Sequence, residues 1–134
     1  MKYIVSAILL TLFAGSAIAG SPMQIVQSFR AAGLEAESPA VMKPKDYGFA
    51  PYVCKGVRFF LPSLDEDDDS GASGRAFVCP DSRSRDAIAG YYQKLGERSA
   101  AFFSWVFIRG LNVVQINGDM DEDEARLYEA AIPK

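Results

Sequence analysis

The two cysteines constrain the fold of this chain more than any other feature of its sequence. Cys54 and Cys79 are the only cysteines, and a bond between them would join points 25 positions apart. A loop of that length contributes about 3.5 kcal/mol in the chain-entropy model. No Cys-x-x-Cys spacing suggests redox exchange, and without histidine a zinc ion would find only two soft ligands. In an exported chain, the sequence favours a structural disulfide over reduced thiols, a redox pair or a metal site.

The first nineteen residues have the three-part pattern of a secretory signal peptide. Lys2 provides a positive start, residues 4–13 are mostly apolar, and residues 17–19 read Ala-Ile-Ala, which suits signal peptidase. The apolar stretch is well short of the roughly 20 residues needed to cross a bilayer. We therefore predict cleavage before Gly20 rather than an uncleaved anchor. The product is expected in the periplasm or outside the cell, with no stable membrane insertion.

The predicted product, residues 20–134, is expected to be a single domain. Its length of about 115 residues is ordinary for one domain with its own core. The whole chain carries 14 basic and 17 acidic residues, and removal of Lys2 with the signal makes the product more acidic. Phosphate contacts need clustered Lys and Arg, so we expect no nucleic-acid partner.

Helical spacing, capping residues and turn signals divide the product into alternating elements. Helices are predicted over residues 22–32, from residue 82 to just before Gly96, and over residues 121–131. Strands are predicted over residues 52–61, 74–79, 100–109 and 113–117, and residues 34–50 are predicted to be an extended connection with one short strand. This order predicts a two-layer α+β fold: an antiparallel sheet of four or more strands, two to three helices mainly on one face, and one disulfide.

The most apolar strand, residues 100–109, has aromatic side chains on both of its faces. Phe103, Trp105 and Phe107 point one way, and the opposite face is also apolar. Two interpretations stay open. The strand is central and covered on both sides, or it exposes an aromatic patch that binds a partner or a second copy.

The acidic run at residues 65–69 raises the question of calcium binding. An EF-hand loop starting at Asp65 would need glycine at position 70 and glutamate at 76, where the chain has Ser70 and Ala76. A loop starting at Asp119 fits no better. The acidic residues at 119–124 are explained instead as the start of a helix. Charge runs are usually solvated, so we predict no metal site.

Catalytic chemistry has little support in these residues. Without histidine there is no Ser-His or Cys-His nucleophile and no imidazole acid or base. We therefore predict no catalytic residues and no cofactor, and expect a non-enzymatic exported binding protein, in one version an inhibitor or immunity-type partner of another exported protein. The candidate protein-binding residues are Asp65, Glu66, Asp67, Asp68, Asp69, Phe103, Trp105 and Phe107. The alternatives are a small-ligand or calcium-binding protein, with its site between the sheet and the 34–50 connection, and a hydrolase that uses carboxylates alone.

Overall fold

A computed structural model describes residues 20–64 and 74–134, which form one five-stranded antiparallel sheet and three α-helices. The helices are α1 (Pro22–Ala31), α2 (Ser82–Arg98) and α3 (Glu122–Ala131). The strands are β1 (Glu37–Val41), β2 (Lys55–Phe60), β3 (Gly74–Val78), β4 (Ser104–Arg109) and β5 (Asn112–Asn117). Two 3-10 helices, Pro44–Tyr47 and Ala100–Phe102, precede β2 and β4. The predicted α+β fold is confirmed.

The strands lie in the order β1-β2-β3-β5-β4, so β3 is central and β1 and β4 are the edges. Helices α1 and α3 pack on one side of the sheet, which we call the α1/α3 face, as the prediction of helices mainly on one face requires. Helix α2 packs on the opposite side, the α2 face, together with the segment before β2. Both sides of the central strands are therefore covered.

The core of the α1/α3 face is built around Phe29 of α1, which is fully buried. Its ring makes edge contacts with Phe59 of β2 at 5.7 Å and with Tyr128 of α3 at 5.0 Å. The Tyr128 hydroxyl donates to the Glu35 carbonyl oxygen at 2.7 Å, so the one polar atom of this cluster is paired. This face is a closed core.

The core of the α2 face is completed by the disulfide. Cys54 and Cys79 are bonded, with Cα atoms 4.4 Å apart, and they flank the register pair Lys55 and Val78 of β2 and β3. This confirms both the predicted bridge and the antiparallel pairing that it needed. The buried hydroxyl of Tyr47 donates to the Cys54 carbonyl oxygen at 2.6 Å, which ties the 3-10 helix to the bridge.

Several boundaries differ from the prediction, among them the predicted strand 52–61, which extends only over Lys55–Phe60. Helix α2 starts as expected, with the Asp81 carboxylate accepting from the Ser84 N–H at 2.7 Å, but it continues through Gly96 to Arg98. The predicted strand 100–109 begins only at Ser104, because residues before it form a 3-10 helix. At the end of α2, a Cβ at residue 96 would lie 3.2 Å from the Phe103 Cα, so this glycine serves close packing rather than helix termination.

Ser21 with Gln24, and Asp121 with Glu124, have the residue types of a capping box at the starts of α1 and α3, but neither box forms. Neither Ser21 nor Asp121 makes a side-chain cap hydrogen bond. The Gln24 N–H is bonded to the Ser21 backbone carbonyl instead, at 3.0 Å. Helix α3 gains its N-terminal stabilisation from three acids in its first turn, which face the positive end of the helix dipole. The predicted signal peptide and the acidic run at 65–69 lie outside the described residues.

Candidate functional site

The two edges of the sheet differ in how well they could pair with another strand. At the β1 edge the register shifts between Glu37 and Ala40, Ser38 has a positive φ of 48°, and Pro39 lacks an N–H. Irregular geometry, proline and charge are the devices that keep an edge strand from pairing. The β1 edge is therefore blunted.

The β4 edge has neither a register shift nor a proline, and Arg109 is its one charged residue. All six of its residues pair with β5 in unbroken register, from Ser104 opposite Asn117 to Arg109 opposite Asn112. A recess of about 380 Å³ runs along it, between Gln93 of α2 and the charged side chains of α3. This edge therefore presents a strand in regular register, paired on one side with β5, with a recess beside it.

Exposed aromatic rings precede this edge. Phe102 is 63% exposed and Phe103 41% exposed. Phe103 is held in place from two sides, because Gly96 lies against it and a Cβ on Gly118 would collide with its carbonyl oxygen. Its ring makes an edge contact with the Trp105 indole at 5.0 Å. The rings are therefore presented by a rigid backbone.

The three aromatic residues predicted on this strand have different environments. Phe103 is exposed as described, and Trp105 is half-buried with its indole N–H donating to the Met120 carbonyl at 2.8 Å. Phe107 is only 4% exposed and packs in the α1/α3 core, where the Arg126 guanidinium lies 5.4 Å from its ring centroid. Side chains alternate between the two faces of the strand, and Phe107 points into the core. Its side chain therefore packs beneath the site and does not reach a partner.

A second recess lies on the α2 face, beside β4, and we call it the arginine groove. Its volume is about 420 Å³, and it separates residues 45–49 of the connection from α2 and the 3-10 helix before β4. Phe49, which is 97% exposed, and Phe102 stand on these two sides, and Tyr91 and Tyr92 of α2 contribute further wall. The groove lies between the sheet and the 34–50 connection, where the small-ligand alternative placed its site.

The floor of the arginine groove is polar and ordered. The Arg75 guanidinium donates to the Gln115 Oε1 at 2.9 Å, and the Gln115 amide donates to the Ser104 Oγ at 2.8 Å. Arg75 also lies 5.6 Å from the ring centroid of Tyr92. Burial raises the pKa of Tyr92 while the Arg75 charge partly opposes this rise, so the tyrosine stays a neutral wall at physiological pH.

Sequence reasoning missed Phe49 and Arg75 altogether and assigned Phe102 no role. A single exposed phenylalanine in a connection has no periodic signal, and an arginine within a strand reads as a solvated side chain. No three His, Cys, Asp or Glu side chains gather as metal ligands within 20–64 and 74–134. The five acids at 65–69 lie outside the described residues.

Comparison with known protein families, curated proteins and solved structures found no match to this chain. None of the helices that the structure describes has the length and hydrophobicity needed to cross a membrane. The disulfide is compatible with export, because such bonds form and persist in oxidising compartments.

Proposed function

We propose that this chain is an exported, non-enzymatic binding protein that takes up an extended segment of a partner protein along β4. The observation that carries the proposal is the contrast between the sheet edges: β1 is blunted, whereas β4 is regular along six residues and bordered by exposed aromatic rings. Strand addition satisfies the free backbone groups of an edge, and flanking pockets select the side chains of the added segment.

The surroundings of β4 suit such a segment. The recess along the edge has an apolar floor and is bordered by Arg126 and Glu129 on α3. These two side chains pair with each other at 3.1 Å, so they leave the rim polar but nearly neutral. Exposed Phe102 and Phe103 lie at the start of the strand, where large rings supply contact area at low entropic cost. Binding energy would therefore come from backbone pairing and these rings.

The acidic run at residues 65–69 supports a basic partner. Five adjacent acids attract a cationic surface over a distance and accelerate encounter without adding contacts. Replacement of all five by Asn or Gln is expected to slow association with the partner at low salt and to leave dissociation nearly unchanged. An unchanged association rate in stopped-flow or surface-based kinetics would contradict this steering role.

The test of strand addition uses two matched substitutions of exposed aliphatic residues by lysine. Ile108 on β4 is 44% exposed and Leu127 on α3 is 55% exposed, so Ile108→Lys and Leu127→Lys add the same charge at little cost in stability. The disulfide-bonded protein and both variants serve as baits for the envelope fraction of the source cells. A captured partner is expected to be lost only with Ile108→Lys.

Hydrogen exchange then locates the contact. The amides of β4 are expected to gain protection in the complex, and those of β1 are expected to exchange at the same rate in the free and bound protein. A partner that Ile108→Lys retains, or protection that maps away from β4, would contradict strand addition. Light scattering provides the last check, because pairing of β4 with a second copy of the chain would leave the edge unavailable to another protein.

A further inference from the structure

We propose that the arginine groove is a binding site for a small ring-bearing carboxylate. This site lies beside the β4 edge but is separate from it, so it goes beyond the proposed strand addition. Its volume of about 420 Å³ falls within the range of known small-molecule sites, which are concave, mainly apolar and equipped with a few convergent polar groups. The lining of the arginine groove is more polar than apolar, and its convergent charge and aromatic walls define the ligand.

The charge comes from Arg75 on the floor of the groove, beside which the sheet places a second arginine. Arg58 of β2 and Arg75 of β3 are register partners, so both side chains leave the sheet on the same face. That face is the α2 face, because Arg75 lies against Tyr92 and the neighbours of Arg58, Val57 and Phe59, are buried in the opposite core. Like charges directly opposite each other across two strands are destabilising.

Nothing in the described ranges neutralises this pair. Neither Arg58 nor Arg75 forms a salt bridge with an acid of residues 20–64 or 74–134, although other arginines there do. Among the described residues, Arg75 contacts only neutral groups in this way, the Gln115 amide oxygen and the Tyr92 ring. A guanidinium has five N–H donors, and this pairing leaves most of them for an anion.

The fixed position of Arg75 favours a carboxylate. Gln115 is only 5% exposed and is itself held by Ser104, so the guanidinium is oriented before any ligand arrives. A planar guanidinium matches a planar carboxylate with two parallel hydrogen bonds, and such charge-assisted pairs are about twice as strong as neutral ones. On the rim, Lys45 and Asp46 carry opposite charges, and the Asp46 carboxylate already accepts the Lys43 N–H at 2.7 Å.

The walls favour a ring attached to that carboxylate. Phe49 and Phe102 are more exposed than ordinary core aromatics and stand on opposite sides of the groove. Tyr91 and Tyr92, in edge contact at 5.1 Å, form the α2 side. A flat ring between such walls gains offset or edge contacts, whereas inorganic phosphate would use only the arginines. The ligand is therefore an aromatic acid rather than a bare anion.

The test measures affinity for three probes on the disulfide-bonded protein by calorimetry and NMR shift mapping. Phenylacetate carries both features, phenylacetamide has the ring without the charge, and inorganic phosphate has the charge without the ring. Phenylacetate is expected to bind at least about tenfold more tightly than either of the others, the factor that a hydrogen bond to a charged group provides. Shifts are expected at Arg75, Gln115 and Tyr92.

Three variants identify the source of that preference. Arg75→Gln is expected to abolish the difference in affinity between phenylacetate and phenylacetamide. Arg75→Lys is expected to retain only part of this difference, because lysine lacks the planar guanidinium that binds a carboxylate through two hydrogen bonds. Arg83→Gln removes the same charge from an exposed position of α2 and is expected to bind like the original protein. Near-ultraviolet circular dichroism confirms that each variant is folded.

Several outcomes would contradict the proposed binding site. They are the absence of phenylacetate binding at millimolar concentration, equal affinities for acid and amide, and a loss in Arg83→Gln as large as in Arg75→Gln. The acid–amide comparison uses the unaltered protein, so it stands even where a variant fails to fold. Ile108→Lys is expected to bind phenylacetate normally, which separates this site from the β4 edge.

Discussion

The two faces of the sheet are built differently, although the same strands supply both. On the α1/α3 face, two helices close over Phe29 and Tyr128, and the one tyrosine hydroxyl is paired with a backbone carbonyl. On the α2 face, one helix and a 3-10 segment leave a groove with a polar floor and exposed rings, and the disulfide belongs to the core of this face. One face is closed and the other is open.

This contrast indicates that the two faces have different roles, one in stability and the other in binding. Burial of large apolar side chains stabilises the fold mainly from the α1/α3 face. The α2 face buries fewer large apolar side chains and contains the disulfide. The disulfide stabilises the fold by restraining the unfolded chain rather than by adding contacts. Substitutions on the two faces should therefore separate stability from binding.

The largest effect is expected from Phe29→Ala, which empties the centre of the closed core. Loss of a fully buried phenylalanine costs about 3–5 kcal/mol, and urea denaturation monitored by circular dichroism measures the change. Phe102→Ala on the open face removes a ring that is 63% exposed and should change stability by no more than about 0.5 kcal/mol. Equal losses of unfolding free energy in the two variants would contradict the conclusion that the two faces contribute differently to stability.

Removal of the disulfide is expected to rank next. Cys54→Ser combined with Cys79→Ser should lower the free energy of unfolding by about 3.5 kcal/mol, since the unfolded chain regains the freedom of the closed loop. Hydrogen exchange should show α2 losing protection before α1, because the bond lies in the α2-face core. A uniform loss of protection would show that the two cores unfold as one unit.

A smaller effect is expected at alkaline pH. Burial raises the pKa of Tyr47 to about 12, so the folded protein keeps its proton while the unfolded chain loses it near pH 10. The stabilisation is complete below pH 10 and falls as the pH rises towards 12. Burial raises the pKa of Tyr92 and of Tyr128 as well, so both faces contribute to the loss.

Tyr47→Phe isolates the contribution of this tyrosine to the pH dependence. It removes the hydrogen bond to the Cys54 carbonyl at a cost of about 1 kcal/mol at neutral pH. Between pH 10 and 12, the stability of the variant should fall less steeply than that of the original protein in denaturation at fixed pH. Parallel curves would assign the alkaline loss to tyrosines elsewhere.

The smallest change in stability, combined with a clear change in binding, is expected from Phe49→Ala. Phe49 is 97% exposed, so the free energy of unfolding should stay within about 0.5 kcal/mol of the original value. Phenylacetate should bind roughly 2- to 10-fold more weakly, the range that one aromatic contact provides. Unchanged affinity would remove this residue from the wall of the arginine groove.

Several features could be predicted because they depend on neighbours in the chain. Pro22 and Gly33 bracket α1, Asp81 caps α2, and Gly110, with a φ of 59°, allows the tight turn between β4 and β5. The disulfide also belongs here, since the strands on either side of one loop bring Cys54 and Cys79 to the same end. Export and the role of the acidic run stay predictions.

The candidate sites could be predicted only in part, because exposure depends on what packs from elsewhere. The alternation in β4 was correct for Trp105 and Phe107, yet Phe107 is buried under α3 while Phe103 projects beside α2. Phe49 lies in a connection whose sequence gives no reason for its exposure. Helix α2 continues through Gly96 because Phe103 packs there, a contact between residues that share no local pattern.

By itself, the sequence of this protein determined its helix starts, its turns, its α+β class and its single bridge, because these follow from short-range geometry and chain connectivity. Tertiary structure alone decided that α2 covers the second face, that β3 pairs with β5, and that Arg58 meets Arg75. The physical reason is strand register: side chains alternate between faces, so which charges and rings meet depends on how distant strands align.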